Sequence, residues 1–223
     1  MILHIDSATK NCSVSLAETG VLIYFREEYS ESYCHSEKLH PFINEVLDHT
    51  KVHPKSLKAI AISKGPGSFT GLRIGVSAAK GICYALGIPL IGINTLQIMT
   101  QKVFLKPDEI VLSLLDARGS KVYALLLDHK HQVVGNTWIE HLDKPSFHKI
   151  TGEKKLFVVG NGQEKLKHFL PDLEASFHPE NRCPSSIDMV ELAWKKYNAK
   201  EFEDINDFEP LYLSEFIPTK PRL

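Results

Sequence analysis

Two aspartates in matching surroundings are the first candidates for chemistry in this chain. Asp6 and Asp116 each end an apolar, strand-like run, and each is followed by a short turn of small and polar residues. Carboxylates at strand ends can hold a metal-bound phosphate in a cleft, and Ser7, Thr9 and Lys10 could donate hydrogen bonds to its oxygens. An aspartate at such a place can also serve the turn alone, because its side chain bonds the following backbone. The sequence leaves both interpretations open.

A second candidate is the glycine-rich string GPGSFTGLRIG, which begins at Gly65. It joins a strand-like run to a helix-like run, and the N-terminus of a helix suits an anion. The string fits neither standard nucleotide loop, because no lysine follows Gly71 and the glycine spacing exceeds the dinucleotide pattern by one residue. For Gly65 and Gly67, a tight turn and part of an anion loop both remain as interpretations.

The second half of this string favours packing over phosphate binding. Gly71, Gly75 and Ala79 recur every four residues, so one face of the predicted helix carries almost no side chain. Glycine inside a helix costs up to about 1 kcal/mol relative to alanine, and close approach of another helix would offset that cost. The other helix would be the one predicted at 36–49 or a helix of a partner.

Several function classes are disfavoured by the remaining residues. His35 and His40 are five residues apart, whereas two ligands on one helix face need a spacing of four, so no metal site is expected. No G-x-S-x-G elbow signals a hydrolase serine. The four cysteines form no C-x-x-C pair, which indicates a reducing compartment. A net charge of -1 gives no positive field for tight autonomous binding to nucleic acid.

The elements that must position these residues repeat along the chain. The run from Ile2 to Leu16 has the order strand, aspartate, turn, strand, and the run from Val111 to Leu125 repeats it. Hydrophobic periodicity predicts further strands at 21–25, 59–63, 88–93, 131–140 and 157–159, and helices at 36–49, 69–86, 95–104 and 163–169. This repetition predicts an α/β chain of two related lobes with the order βββαβα, namely 1–106 and 107–223, the latter with a C-terminal tail.

These motifs resemble the TsaB (YeaZ) family over about the first 125 residues. The resemblance rests on IDS at 5–7, SVSL at 13–16, HSEKL at 35–39, the glycine-rich string at 65–75, LDAR at 115–118 and VYA at 122–124. It implies an α/β, two-lobed actin-like fold of the ASKHA superfamily, which is ribonuclease H-like.

The resemblance also implies a role in making threonylcarbamoyladenosine next to the anticodon of tRNAs that read codons beginning with A. The chain would be a non-catalytic scaffold that supports TsaD, the related subunit that performs the transfer, and recruits the ATPase TsaE. tRNA would be contacted only indirectly, through the complex. No cofactor is implied, apart from a weakly bound nucleotide at a subunit junction.

Carried over by motif, the contact surface for TsaD would lie on the two helices of the first lobe. It would consist of Leu39, Phe42, Ile43, Val46, Gly71, Leu72, Gly75 and Ala79. In isolation the same surface would pair two copies as a symmetric homodimer. A Gly75→Leu variant is then expected to lose TsaD and stay folded.

Two other functions compete with the scaffold. One is an actin-like ATPase or kinase that uses Asp6 and Asp116, although Arg118 stands where such phosphate loops prefer glycine. The other is an M22-type metallopeptidase, which the histidine spacing disfavours. The chain shows no signal-peptide pattern and no apolar run of membrane length, so we expect a cytoplasmic protein without a membrane partner.

Overall fold

Two mixed five-stranded sheets form the framework of the chain. A computed structural model describes residues 1–30, 35–146, 154–179 and 183–213. The first sheet contains β1 (Ile2–Asp6), β2 (Asn11–Glu18), β3 (Val21–Tyr29), β4 (Ala59–Gly65) and β5 (Leu90–Asn94). The second contains β6 (Glu109–Asp116), β7 (Lys121–Asp128), β8 (Val133–His141), β9 (Lys155–Val159) and β10 (Ala175–Phe177). The helices are α1 (His35–Thr50), α2 (Phe69–Leu86), α3 (Thr95–Ile98), α4 (Gln163–Phe169) and α5 (Val190–Ala199), with 3-10 turns at Pro54–Ser56 and Ser186–Met189.

The two sheets share one topology, as the repeated sequence pattern predicted. Their strand orders are β3-β2-β1-β4-β5 and β8-β7-β6-β9-β10. In the first sheet β1 is antiparallel to β2 and parallel to β4, and in the second sheet β6 is antiparallel to β7 and parallel to β9. This duplicated α/β arrangement is the two-lobed actin-like fold.

Some helices match their predicted bounds, and other elements differ from them. Both α2 and α4 span the predicted residues. The helix predicted at 95–104 is shorter, because α3 ends at Ile98 and turns follow it. The strand β10 was not predicted. The first helix of the second predicted βββαβα unit has no counterpart in 142–146, and 147–153 lie outside the described residues.

The apolar faces of α1 and α2 form the core of the first lobe. Leucine, isoleucine, phenylalanine and valine recur on α1 at helical spacing, and this face lies against the sheet. The side chains expected to contact a partner are buried within the lobe: Leu39, Phe42, Ile43, Val46, Leu72 and Ala79. In these helices the periodicity therefore marks the core face, and the contact of these side chains with a partner stays a prediction.

The C-terminal segment returns to the first lobe. Met189 and Ala193 pack with Ile2 and Ile91 on the sheet face opposite α1 and α2, and Glu203 forms a β-bridge with Leu90. This segment, which the predicted boundary gave to the second lobe with the rest of 107–223, therefore packs against the first sheet. The predicted C-terminal tail is described only as far as Leu213.

Strand β2 is buried on both faces because this segment covers it. Ser13 Oγ lies 2.6 Å from Ser186 Oγ, and Ser15 Oγ donates to the carbonyl oxygen of Ser186 over 3.0 Å. Serine alternates here with valine and leucine, a pattern typical of a half-buried strand, but the serine face is buried as well. No helix in the described ranges has an apolar stretch long enough to span a bilayer.

Candidate functional site

The turn after β1, where the first aspartate stands, is closed by its own chain. Asp6 is 0% exposed, and Ser7 and Thr9 are buried with it. The amide of Ala8 donates to Asp6 Oδ1 over 3.2 Å, and the amide of Ser7 donates to the Ser63 hydroxyl over 3.4 Å. Asp6 therefore stabilises the turn by accepting a hydrogen bond from the following backbone, as aspartates in short turns commonly do.

Glycines let the start of α2 lie directly on this turn. A Cβ built on Gly67, Gly71 or Gly75 would come closer than 3.0 Å to the Ala8 carbonyl oxygen, the Ser7 carbonyl oxygen and Ser7 Oγ respectively. Gly71 and Gly75 thus serve packing, as predicted, but their neighbour is a turn of the same lobe and not a second helix. Both are buried against this turn, and a side chain at Gly75 would crowd Ser7, which argues against the expectation that Gly75→Leu leaves the lobe folded.

Polar groups of the glycine-rich string already have partners within the chain. The Ser68 amide donates to the Ala8 carbonyl over 2.7 Å, and Ser68 Oγ accepts from the Gly71 amide over 3.2 Å as the N-cap of α2. Gly65 has φ of 104°, and a Cβ there would lie 2.8 Å from the Leu211 carbonyl oxygen. We therefore assign Gly65 and Gly67 to a turn and a close contact, and not to an anion loop.

Burial also sets the electrostatics of the turn. The pKa of Asp6 rises from its ordinary 3.8 to about 7, mainly because the carboxyl is buried and to a smaller extent because of the nearby carboxylates of Glu27 and Asp188. Hydrogen bonds from Ala8 and Ser63 oppose this rise but are the weaker effect. Lys10 at the end of the turn is half-buried. This environment disfavours an added anion, because it already destabilises a charged carboxylate.

The second aspartate has a different environment. Asp116 is 52% exposed at its side chain and forms an ion pair with Lys165 of α4. Its amide donates to Asn161 Oδ1 over 2.8 Å, within a glycine turn at 160–162 that repeats the turn at 65–67. Asp6 and Asp116 therefore occupy equivalent positions in the two lobes, but Asp6 is buried and Asp116 is exposed to solvent. They do not form two accessible carboxylates facing a ligand.

The histidines at the first helix form no ligand set. His35 is buried at the start of α1, where burial lowers its pKa, while His40 is exposed. Across the described ranges, no group of three or more histidine, cysteine or acidic side chains could hold a metal ion. Cys34 lies outside those ranges.

The sequence analysis singled out the glycine face of α2 but not the outward face of this helix. It presents Arg73, Ser77, Gly81 and Tyr84, of which Tyr84 is 81% exposed. A Cβ on Gly81 would have no neighbour within 4 Å, so this glycine serves no close packing contact within the part of the chain that the structure describes. Gly81, the third glycine inside α2 and four residues after Ser77, is the sequence feature that could have indicated this face.

Comparisons with known proteins agree with this architecture. A family model described as "TsaD: tRNA N6-adenosine threonylcarbamoyltransferase" matches residues 30–201, which is more than half of the chain. The structure called YeaZ from Pseudomonas aeruginosa has a TM-score of 0.83 at 24% identity, covering 95% of this chain and 99% of that one. This likeness supports the fold.

Sequence relatives identify the family. The chain is 36% identical to the tRNA threonylcarbamoyladenosine biosynthesis protein TsaB of Escherichia coli (strain K12), covering 98% of this chain and 96% of the relative. It is 28% identical to the protein of the same name from Haemophilus influenzae, covering 98% and 95%. Because such identity extends over nearly the whole of both chains, this chain belongs to the TsaB (YeaZ) family, within the wider group that the TsaD model describes.

Proposed function

We propose that this chain acts in the biosynthesis of threonylcarbamoyladenosine in tRNA, as a non-catalytic subunit that binds and supports a TsaD-like subunit. The near full-length similarity to proteins named for that pathway supports the pathway. The sealed turn after β1 is the observation that supports a non-catalytic role. A substrate phosphate in the first lobe would have to displace the start of α2 from Ser7 and Ala8.

The outward face of α2 is the proposed docking surface. A glycine in a helix interior is less favourable than alanine by roughly 1 kcal/mol, and at Gly71 and Gly75 contact with the turn after β1 offsets this cost. At Gly81 nothing in the described chain does so. A partner helix that approaches closely at Gly81, beside the exposed ring of Tyr84, would supply the missing contact.

Recruitment of a TsaE-like ATPase by the resulting pair belongs to the same proposal. The chain carries a net charge of -1, which agrees with tRNA being held by the complex and not by this subunit alone. Modification of tRNAs that read codons beginning with A would then depend on this chain through its effect on the TsaD-like subunit.

A binding experiment with two variants tests the docking surface. Gly81→Leu places a large side chain where the partner should approach, and its Cβ would meet no atom of another element within 4 Å among the described residues. We expect the variant to stay folded and to lose co-purification with the TsaD-like subunit. The matched control is Lys195→Leu on α5, where the replaced side chain is 67% exposed. Binding retained by Gly81→Leu, or lost equally by both variants, contradicts the assignment.

Depletion tests the pathway itself. Cells that lack this chain should lose threonylcarbamoyladenosine from their tRNA, as measured by mass spectrometry of digested nucleosides. An unchanged level in depleted cells would refute the proposed function, whatever the result of the binding experiment.

A further inference from the structure

A cleft between the two lobes, apart from the turns at Asp6 and Asp116, is lined mainly by polar side chains. Its volume is about 260 Å³. Residues of β4, β5 and α5 form its wall on the side of the first sheet, and residues of β7 and β8 form the opposite wall. Pockets that hold drug-sized ligands commonly measure about 300–1,000 Å³, so this cleft suits a small molecule.

A bulge in β8 forms part of the wall on the side of the second lobe. Residues 135–137 stand opposite Leu125 alone, whereas the residues on either side of them pair one to one with β7. Gly135 begins this bulge with φ of 81°, a conformation that favours glycine. Bulges re-aim side chains and are common beside functional sites. This one brings Thr137 to the first lobe, where Asn94 Nδ2 donates to Thr137 Oγ1 over 2.8 Å.

Two lysines make the lining of the cleft positive. Among the described residues that line it, Lys64 and Lys196 are charged and none is acidic. Lys64 Nζ lies 3.3 Å from Glu203 Oε1, and Lys196 Nζ lies 2.9 Å from Glu201 Oε2. Neither glutamate lines the cleft, and ion pairs that are partly open to solvent contribute little to stability. An anion in the cleft can therefore compete for both ammonium groups.

Gly92 of β5 makes room for the first of these lysines. A Cβ on Gly92 would lie 2.5 Å from Glu203 Oε1 and 3.0 Å from Lys64 Cδ, so a larger residue would push this ion pair aside. Glycine in a strand interior weakens the strand, and it often marks a site where a ligand or another part of the chain approaches closely. At Gly92 the missing side chain lets the Lys64 stem lie across the strand at the edge of the cleft.

We propose that this cleft binds a small oxyanion, a phosphate or carboxylate group, between Lys64 and Lys196. Lysine ammonium groups act as point charges with rotatable donors, so two of them can share the oxygens of one anion. The side-chain amides of Gln97 and Asn136 and the hydroxyl of Thr137 can donate to further oxygens. Because these groups come from both walls, a bound anion links the two lobes. No residue of α2 lines the cleft, and the inference does not depend on the proposed function.

Titration of the full chain with sodium phosphate and, separately, with sodium succinate tests the site at constant ionic strength. Backbone amide signals in NMR spectra report where each anion binds. The signals of Gly92 and Gly135, one in each wall, should shift with one common Kd in the millimolar range, whereas Gly81 and Gly87 at α2 should not shift. Binding of either anion in this way supports the site, and the better probe identifies the group that it prefers. No saturable shift with either anion, or shifts that spare Gly92 and Gly135, would overturn the proposal.

Two neighbouring lysines on α5 test the role of the charge. Lys196→Gln removes an ammonium group that lines the cleft, and the affinity for the anion should fall by about ten-fold or more. Lys195→Gln changes the net charge equally, but this side chain is 67% exposed, pairs with Glu191 and does not line the cleft, so the variant should bind as the wild type does. Circular dichroism checks that both variants fold. Equal affinity in Lys196→Gln and Lys195→Gln would refute the assignment.

Discussion

The contact between α2 and the turn after β1 predicts a strong coupling between Ser7 and Gly75. A Cβ on Gly75 would lie 3.1 Å from both Ser7 Cβ and Ile62 Cδ1, and far inside contact distance of Ser7 Oγ. Overpacking of this kind costs about 1–3 kcal/mol, and the better helix propensity of alanine offsets up to about 1 kcal/mol. Gly75→Ala should therefore lower the free energy of unfolding by about 1–2 kcal/mol.

Removing the hydroxyl should remove most of that cost. Ser7 Oγ is buried without a hydrogen-bond partner among the described residues, so Ser7→Ala alone should be neutral or stabilising. With Ser7→Ala in place, Gly75→Ala meets only the two 3.1 Å contacts, and the coupling free energy should reach about 1 kcal/mol or more.

Urea unfolding of the four proteins in this mutant cycle, followed by circular dichroism, measures the coupling. A parallel cycle with Gly81→Ala is the control, because a Cβ at Gly81 meets no other described residue within 4 Å and should act independently of Ser7. If the effects of Ser7→Ala and Gly75→Ala add, the account of the glycines as space for this turn is refuted.

Three further predictions concern charge, helix propensity and nucleotide. Because burial raises the pKa of Asp6 from 3.8 to about 7, the folded state keeps a proton that the unfolded state loses, and this carboxyl lowers stability as pH rises between those values. In urea unfolding between those pH values, the free energy of unfolding of Asp6→Asn should increase relative to that of the wild type by up to about 1.4 kcal/mol per pH unit. If the two proteins show the same dependence of unfolding free energy on pH, the burial of a titrating Asp6 is contradicted. Gly81→Ala should stabilise the isolated chain by about 0.5–1 kcal/mol, seen as a higher midpoint of unfolding, and a lower midpoint would reveal an internal contact. Isothermal titration with Mg-ATP should show no tight binding to the isolated chain, and tight binding abolished by Asp116→Asn would revive the kinase interpretation.

The duplicated framework could be predicted from the sequence because local patterns carry it. The strand, aspartate, turn, strand order at Asp6 and Asp116 fixed the equivalence of the two sheets, and periodicity located α2 between Phe69 and Leu86. These signals depend on neighbours along the chain, which a sequence displays directly.

The neighbours of these elements could not be predicted in the same way. Serines that alternate with Val14 and Leu16 are typical of a solvent-exposed strand face. Only the structure shows that Ser185 and Ser186, far along the chain, pack on these serines and bury them. Likewise the spacing of Gly71 and Gly75 indicates a close approach, but it does not say that the approaching group is the turn at Ser7. Equivalent residues can therefore differ in exposure, as Asp6 and Asp116 do.

The central claim is that the chain supports the transfer reaction by binding its partner and not through its own aspartates. The level of threonylcarbamoyladenosine in tRNA, measured by mass spectrometry in cells that carry only a variant chain, tests this most directly. Asp116→Asn alters the open aspartate without disturbing the core, and it should retain the wild-type level, whereas Gly81→Leu should lose the modification. Loss of the modification in Asp116→Asn, with the complex intact, or its full retention in Gly81→Leu would contradict the account.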